Sequence, residues 1–549
     1  MRYDLEFRSI PGVLRVNGRR LSDRESLVDP DSGRRWTFAE LEAEMVRSVR
    51  AAIAAGVRPG DRVGIWLPNS AEWIIAALGV LGAGGVLVPL NTRFKAEEAA
   101  YVLRKSGARM LIAGTDFLGM DHLRMLRSGE PDLAKELHTV CALGAVPEGA
   151  VSWDDHLAAG VLVPETTAIE RIDAITGDDL SDIMFTSGTT GAPKGVMLTH
   201  AQSLRAHGYL SAVFGFALGD RYLVIPPFFH TFGYKAGWMA SLMHGVTVIP
   251  QRIFDVDEVL GRIERERVTV LLGPPTLFND LMRHPRRGDH DLSSLRFTVP
   301  SAAVVPVELV HRLHDDLGFD VVLTAYGLTE ATSMVSTCRP EDDPEDIANS
   351  VGRPAQDVEV TLIDEEGGPV SPGEAGEVLV RGYVVMRGYW EDPEATAEVI
   401  DADGWLHTGD IGTLNERGFL RITDRKKDMF IAGGFNAYPA EIERLLLRYE
   451  AVADVAVIGV PDDRLGEVGA AFVVPAAGQD VRAADLIAWA REHMANYKVP
   501  RHVHLVAELP RNASMKVRKA DLRAQFARAA APSGLKAPGS GLKAPGPVL

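Results

Sequence analysis

Thr186-Ser187-Gly188-Thr189-Thr190-Gly191-Ala192-Pro193-Lys194-Gly195 packs three glycines, four hydroxyl side chains and one lysine into ten residues. Just before it, Asp182-Ile183-Met184-Phe185 reads as a short buried strand. Glycines let backbone N–H groups close round an anion, hydroxyls add donors and a lysine supplies charge. A strand running into such a loop therefore predicts a phosphate cradle on an α/β sheet. It is not a Walker A loop, which needs Gly before the lysine and Ser or Thr after it; here Pro193 precedes Lys194 and Gly195 follows. The bland alternative is a flexible surface turn, and the rest of the chain weighs against it.

Outward from this loop, the chain runs to 549 residues, too long for one core and suited to three or four packing units. With 46% hydrophobic and 24% charged residues it has an ordinary globular composition. A net charge of −17 argues against nucleic acid or an anionic membrane as main partner, so an anionic substrate must be held by locally placed donors and a metal. Cys141 and Cys338 are the two cysteines, which suits a reducing, cytoplasmic setting and excludes a disulfide framework. The start, Met1-Arg2-Tyr3-Asp4-Leu5-Glu6, lacks the apolar core of a signal peptide. Residues 73–90 are 18 consecutive uncharged residues, a length at which a membrane span becomes thinkable. Gly79, Gly82, Gly84, Gly85 and Pro89 interrupt them, and a buried helix (about 71–82), a glycine turn and a buried strand (86–90) explain the run better.

Before the loop, residues 35–115 alternate strand and helix: helices near 38–55, 71–82 and 95–106, strands near 63–67, 86–90 and 110–112. This rhythm predicts a parallel sheet covered on both faces. Residues 115–180 give weak signals and read as a surface excursion. After the loop come a helix (about 200–213) and a strand running into Pro226-Pro227-Phe228-Phe229-His230-Thr231-Phe232-Gly233-Tyr234, the kind of wall that binds an apolar ligand. Residues 268–272 read as another strand. Leu323-Thr324-Ala325-Tyr326-Gly327-Leu328-Thr329-Glu330 is then a strand delivering an aromatic, a hydroxyl and a carboxylate to its carboxyl end, where open parallel sheets place ligands. An aromatic can stack on a base, a hydroxyl can bind phosphate and a carboxylate can hold Mg²⁺. From residue 350 short strands and close turns imply a small antiparallel or barrel-like unit ending at Gly404-Trp405-Leu406-His407-Thr408-Gly409-Asp410. Asp424-Arg425-Lys426-Lys427-Asp428 marks a boundary, and a compact α+β domain of about 100 residues follows. The tail from Ala529 carries Ser-Gly-Leu-Lys-Ala-Pro-Gly twice and is expected to be disordered.

Six separated strings, at 186–195, 226–234, 324–330, 404–410, 424–436 and 509–517, resemble in order the motifs of the adenylate-forming superfamily, and within it the acyl-CoA synthetases. The likeness covers residues 30 to 525. It implies an N-terminal domain (1–423) of two flavodoxin-like parallel-sheet subdomains plus a small β-barrel subdomain, a hinge (424–428), a mobile α+β C-terminal domain (429–528) and a tail (529–549). It also implies ATP, Mg²⁺ and coenzyme A. By that resemblance Thr186, Ser187, Gly188, Thr189, Thr190, Gly191 and Lys194 grip the β- and γ-phosphates. Tyr326 stacks on adenine beside Ala302 and Ala303, with Gly327 next to it. Thr329 meets the α-phosphate, and Glu330 with Thr186 holds Mg²⁺. Asp410 and Arg425 bind the ribose hydroxyls, Lys427 stands at the hinge position and Lys516 at the adenylation lysine. Gly433, Gly434 and Phe435 border the pantetheine tunnel. The residue before that lysine is usually glycine, and here it is Met515.

For the acid, His230, Phe232, Tyr234 and Lys235 are the substrate-side candidates. The resemblance places an aspartate near the aromatic turn in domains that load α-amino acids, and His230-Thr231-Phe232 offers none, so a fatty, aryl or alicyclic acid is expected. The 227–237 run, with Cys338-Arg339-Pro340-Glu341-Asp342-Asp343, is similar to that of actinobacterial ligases for sterol-derived ring propanoates. Lys235 is a candidate to pair with a polar group on such an acid, the heavier alternative being a lysine that points to solvent or binds a carbonyl. Two alternatives stand beside the ligase reading: an acyl-AMP ligase that loads a carrier protein, and a non-catalytic nucleotide-binding module. A homodimer is allowed for, although nothing in the sequence specifies it.

Overall fold

The computed structural model describes residues 2–187, 192–300, 307–364, 366–425, 430–437, 439–476, 478–479, 481–510, 517 and 519–530. Its largest sheet has seven strands in the order Val151–Ser152, Thr139–Leu143, Met110–Gly114, Arg62–Trp66, Val86–Pro89, Leu180–Ser187, Pro193–Thr199. All neighbours are parallel except the last pair, which is antiparallel. Helix Phe38–Ala54 starts on a capping box: Thr37 accepts from the Glu40 amide, and the Glu40 carboxylate accepts from the Thr37 amide. The Ala71–Gly82 helix is capped by Ser70 and buried at every position but Glu72, so it has no polar face. Gly84 turns the chain at φ +81°, a conformation other residues adopt at a cost, and returns it as the strand Val86–Pro89. Among the described residues no helix is long and apolar enough to cross a membrane.

The excursion at 115–180 is not merely surface loop. Thr139–Leu143 and Val151–Ser152 extend the large sheet, and helices His122–Gly129, Trp153–Ala159 and Glu165–Asp173 pack around it. Strands of five and two residues are too short to display a period in sequence.

A second sheet runs Arg221–Val224, Thr247–Pro250, Glu25–Val28, Arg35–Thr37, with the first three parallel. The expected strand at 268–272 is buried, but it joins its neighbours through bridges at Val270 to Tyr222 and Phe297 rather than a ladder. Ala325–Tyr326 is likewise a two-residue strand in a three-stranded antiparallel sheet, not the end of a long parallel strand. That sheet is tied to a four-stranded antiparallel one (Val358–Ile363, Ala375–Gly382, Leu406–Leu414, Leu420–Arg425) by reciprocal hydrogen bonds from Val351 to Leu420 and Leu420 to Gly352.

The C-terminal domain is a five-stranded sheet built on the long hairpin Val452–Asp462/Gly466–Pro475. Its two faces alternate as a pleated sheet requires. Val455, Val457, Ala471 and Val473 pack under helices Pro439–Leu446 and Ala483–His493, while Ala456, Ile458, Ala470 and Phe472 pack with Leu509 and Leu522. Helix Lys519–Ala530 runs two residues into the stretch assigned to the tail, and 531–549 lies outside the described residues.

Candidate active site

One cavity of about 780 Å³ is lined from three directions. Its nucleotide side starts from the hairpin Leu180–Ser187/Pro193–Thr199, whose register sets Thr186 directly opposite Lys194. The strands on either side of the glycine-rich stretch are thus antiparallel partners that hold Thr186 and Lys194 across from each other. Thr186 Oγ1 donates to Glu330 Oε1 at 3.3 Å, and the Tyr389 hydroxyl donates to the same oxygen at 3.0 Å. Lys194 Nζ lies 5.1 Å from the Tyr389 ring centroid and 3.9 Å from the exposed Glu398. Thr329 opens the tight turn Thr329–Ala331 that points Glu330 at the hairpin. Gly327 is required by packing, since a Cβ there would stand 2.2 Å from the Ser333 carbonyl carbon.

Asp410, nearly buried, accepts from the Tyr326 hydroxyl at 2.5 Å, and in the sheet it pairs with Arg425. Tyr326 is thereby tied to Asp410 and does not itself line the cavity. Among described residues, no group of three or more His, Cys, Asp or Glu side chains gathers to hold a metal. Glu330 with the Thr186 hydroxyl is the donor set that suits Mg²⁺ shared with substrate phosphates: one carboxylate, oxygen ligands, and the remaining positions left to phosphate and water.

The acid side is the turn after strand Arg221–Val224. Ile225, Pro226, Phe229, Phe232, Phe254 and Leu277 line it. His230 Nδ1 accepts from the Phe232 amide at 3.2 Å and caps the short helix Thr231–Gly233. Its ring is exposed onto the cavity, and the protein crowded around it lowers its pKa below the ordinary histidine value, so it is neutral at pH 7. Sequence reasoning passed over Asn69. Its buried amide donates to the carbonyls of Val224 and Pro226 (3.2 and 3.0 Å) and accepts from the Phe228 amide (2.8 Å), fastening the acid wall to the large sheet. Its neighbour Ser70 signalled only a helix start.

Two substrate-side expectations are corrected. Lys235 does not reach the cavity: its side chain is wholly buried, 2.9 Å from Asp182 Oδ1, and donates to Ser203 Oγ at 2.8 Å. Tyr234 is buried in an aromatic group with Trp73 and Trp238, stacking on Trp238 at 5.0 Å between centroids, and does not line the cavity either.

The third side belongs to the C-terminal domain. Gly433 (φ +58°) and Gly434 (φ +84°) form the turn of the hairpin Phe430–Ala432/Phe435–Ala437, and both line the cavity with Phe435. A Cβ on Gly434 would meet Pro274 Cγ at 3.3 Å, so the turn passes close against the N-terminal domain. Phe435 stacks between Phe229 and Tyr497, 6.4 and 4.8 Å away. Gly188, Thr189, Thr190, Gly191, Ala302, Ala303, Lys427, Met515 and Lys516 lie outside the described residues, and Ser187 and Arg425 are described in backbone only.

The model of the AMP-binding enzyme family matches residues 14–390, and that of the AMP-binding enzyme C-terminal domain matches 441–516. The 3-(7a-methyl-1,5-dioxo-octahydro-1H-inden-4-yl)propanoyl:CoA ligase of Mycobacterium tuberculosis is 50% identical, over 94% of this chain and 99% of its own. The ligase of the same name from Rhodococcus jostii is 46% identical, over 94% and 98%. Among solved structures, the amide bond synthetase of Marinactinospora thermotolerans superposes with a TM-score of 0.81 at 29% identity, covering 94% of this chain and 99% of that one.

Proposed function

The chain belongs to the AMP-binding enzyme family and is an acyl-CoA ligase, and from that premise we propose that its acid is a sterol-derived, fused-ring propanoate. The observation that carries the reading is one shared cavity: a polar hairpin and carboxylates on one side, an aromatic wall on the second, a glycine turn on the third. The apolar wall suits a hydrocarbon ring system, and the near relatives whose names specify such a propanoate share about half the sequence.

The chemistry follows from charge. A carboxylate and a triphosphate repel each other, so the acid must be brought in line with the α-phosphate while their charges are neutralised. Lys194 and the hydroxyl of Thr186, opposite each other across the hairpin and both lining the cavity, would grip the β- and γ-phosphates. Glu330 and Thr186 would hold Mg²⁺, which supplies electrostatic stabilisation of the phosphates. Asp410, fixed by Tyr326, accepts from ribose hydroxyls. Neutral His230 adds no charge to the acid side. Pyrophosphate leaves, and the mixed anhydride is open to the thiolate of coenzyme A arriving past Gly433 and Gly434. The glycine turn of the C-terminal domain already lines the cavity, so the adenylation step carried by Lys516 would require another orientation of that domain.

The test is a panel of acids (fused-ring propanoates, straight-chain fatty acids, aryl acids) offered with ATP and coenzyme A, scored by kcat/KM. Preference for the ring propanoates supports the reading. Faster turnover of fatty or aryl acids overturns the substrate class and leaves the ligase assignment standing.

A further inference from the structure

The two domains meet where residues 91–98 of the N-terminal domain face residues 435–498 of the C-terminal one. Lys498 is the centre of that contact. Its Nζ lies 2.6 Å from Glu98 Oε1 across the interface and 2.6 Å from Glu441 Oε1 within its own domain. The three side chains are only 2%, 8% and 3% exposed, so a cation and two carboxylates are taken out of water together. Phe94 and Tyr497 cover the ammonium at 5.0 and 5.7 Å from their ring centroids. Asn91 Nδ2 donates to the Tyr497 hydroxyl at 3.2 Å, and Tyr497 stacks on Phe435 beside the glycine turn. By contrast, the pair of Arg448 with Glu97 is exposed on both sides.

We propose that the Lys498–Glu98 pair is the latch that seats the C-terminal domain with its glycine turn against the cavity, making both positioning residues for thiol transfer. This rests on the ligase reading above. The arrangement suits a latch that must reopen. When the domains part, Lys498 keeps Glu441, so the lysine is never left buried and unpaired, and Glu98 regains water. Burial beside Glu441 pushes the Glu98 pKa upward, as expected of a carboxylate that has surrendered its hydration. Because Lys498 keeps Glu441, losing the Glu98 charge leaves no orphaned ion but forfeits the charge-assisted contact between the domains, which at a desolvated interface is worth more than an exposed pair. The Lys498–Glu98 pair should therefore outweigh Arg448–Glu97 in setting the orientation.

Glu98 also caps helix Ala96–Ser106 by accepting from the Lys95 amide, and glutamine serves equally at that position. Glu98→Gln thus removes the charge and keeps the cap. Two rates on the full-length protein read the effect: pyrophosphate release from ATP and acid without coenzyme A, and conversion of preformed acyl-AMP on mixing with coenzyme A. The second should fall by about tenfold or more while the first stays within about twofold. Lys498→Met should slow the second step more than the first, and Arg448→Ala should leave both within about twofold. Equal loss of both rates in Glu98→Gln, or an undiminished second rate, overturns the latch. Failure of the unsubstituted protein to release pyrophosphate with any acid defeats instead the ligase reading beneath it.

Discussion

Replacing Lys235 by methionine should cost the protein several kcal/mol of stability and leave its recognition of the acid nearly intact. The ammonium sits 2.9 Å from Asp182 Oδ1 and 2.8 Å from Ser203 Oγ, with both charged side chains at 0% exposure. Ser181 Oγ donates to the other Asp182 oxygen at 2.6 Å. Methionine fills most of the space but leaves the Asp182 carboxylate buried without its cation, which costs about 3–5 kcal/mol. Pairing it with Asp182→Asn removes the orphaned charge and should recover most of that loss, because a neutral pair carries little desolvation penalty. The location matters for function: Asp182 lies on the strand that carries Thr186, and Lys235 on the turn that follows His230 and Phe232, so the pair bolts the nucleotide side to the acid side. Urea unfolding followed by tryptophan fluorescence measures the first effect, and the KM for the acid measures the second. The expectation is a loss of about 3–5 kcal/mol with KM within about twofold. An unchanged urea midpoint together with a tenfold rise in KM would refute this reasoning and return Lys235 to the acid pocket.

Other outcomes follow from the same geometry. Glu330→Gln should slow pyrophosphate release by about a hundred- to a thousandfold, roughly 2.7–4 kcal/mol of barrier, in stopped-flow assays at saturating Mg²⁺. Lys516→Ala should abolish acyl-AMP formation yet still convert supplied acyl-AMP to thioester, and equal loss of both would remove Lys516 from the adenylation role. Gly434→Val forces a branched side chain into positive φ, at about 1–2 kcal/mol, and toward Pro274, and should depress thioester formation far more than acyl-AMP formation. His200 and His207 are buried and held down to about 3 by loss of water, whereas an unfolded histidine takes its proton near 6.5. The unfolded state thus binds more protons as pH falls below 6.5, and each should withdraw about 1.4 kcal/mol between pH 8 and 5.5. Unfolding midpoints across that range should fall with pH, and less so in His200→Gln/His207→Gln.

What was legible in the sequence was mostly local. Ser70 before an apolar run marked the helix Ala71–Gly82, and Gly84 and Gly85 marked the turn that rules out a span there. The strings around Thr186, Glu330, Asp410 and Gly433 named side chains that the fold brings to one cavity. What stayed hidden depends on pairing and on direction. Nothing in Pro193–Thr199 announces a strand folding back on Leu180–Ser187, because a ladder partner is not a local property. Asn69 looks like a loop residue until its backbone contacts are seen. Lys235 was misjudged because a charge beside an aromatic turn says nothing about which way it points. The π-helical turn Tyr234–Met239, with Gly237 at ψ −108°, breaks the 3.6-residue period from which a direction could be argued.

The most direct measurement is mass spectrometry of the products formed from a fused-ring propanoate and ATP, with and without coenzyme A. Without the thiol, acyl-AMP and pyrophosphate should accumulate in amounts stoichiometric with the protein; with it, the acyl-CoA thioester and AMP should replace them. No adenylate with any acid offered, or a thioester accompanied by ADP and phosphate, would contradict the use of one cavity for both half-reactions.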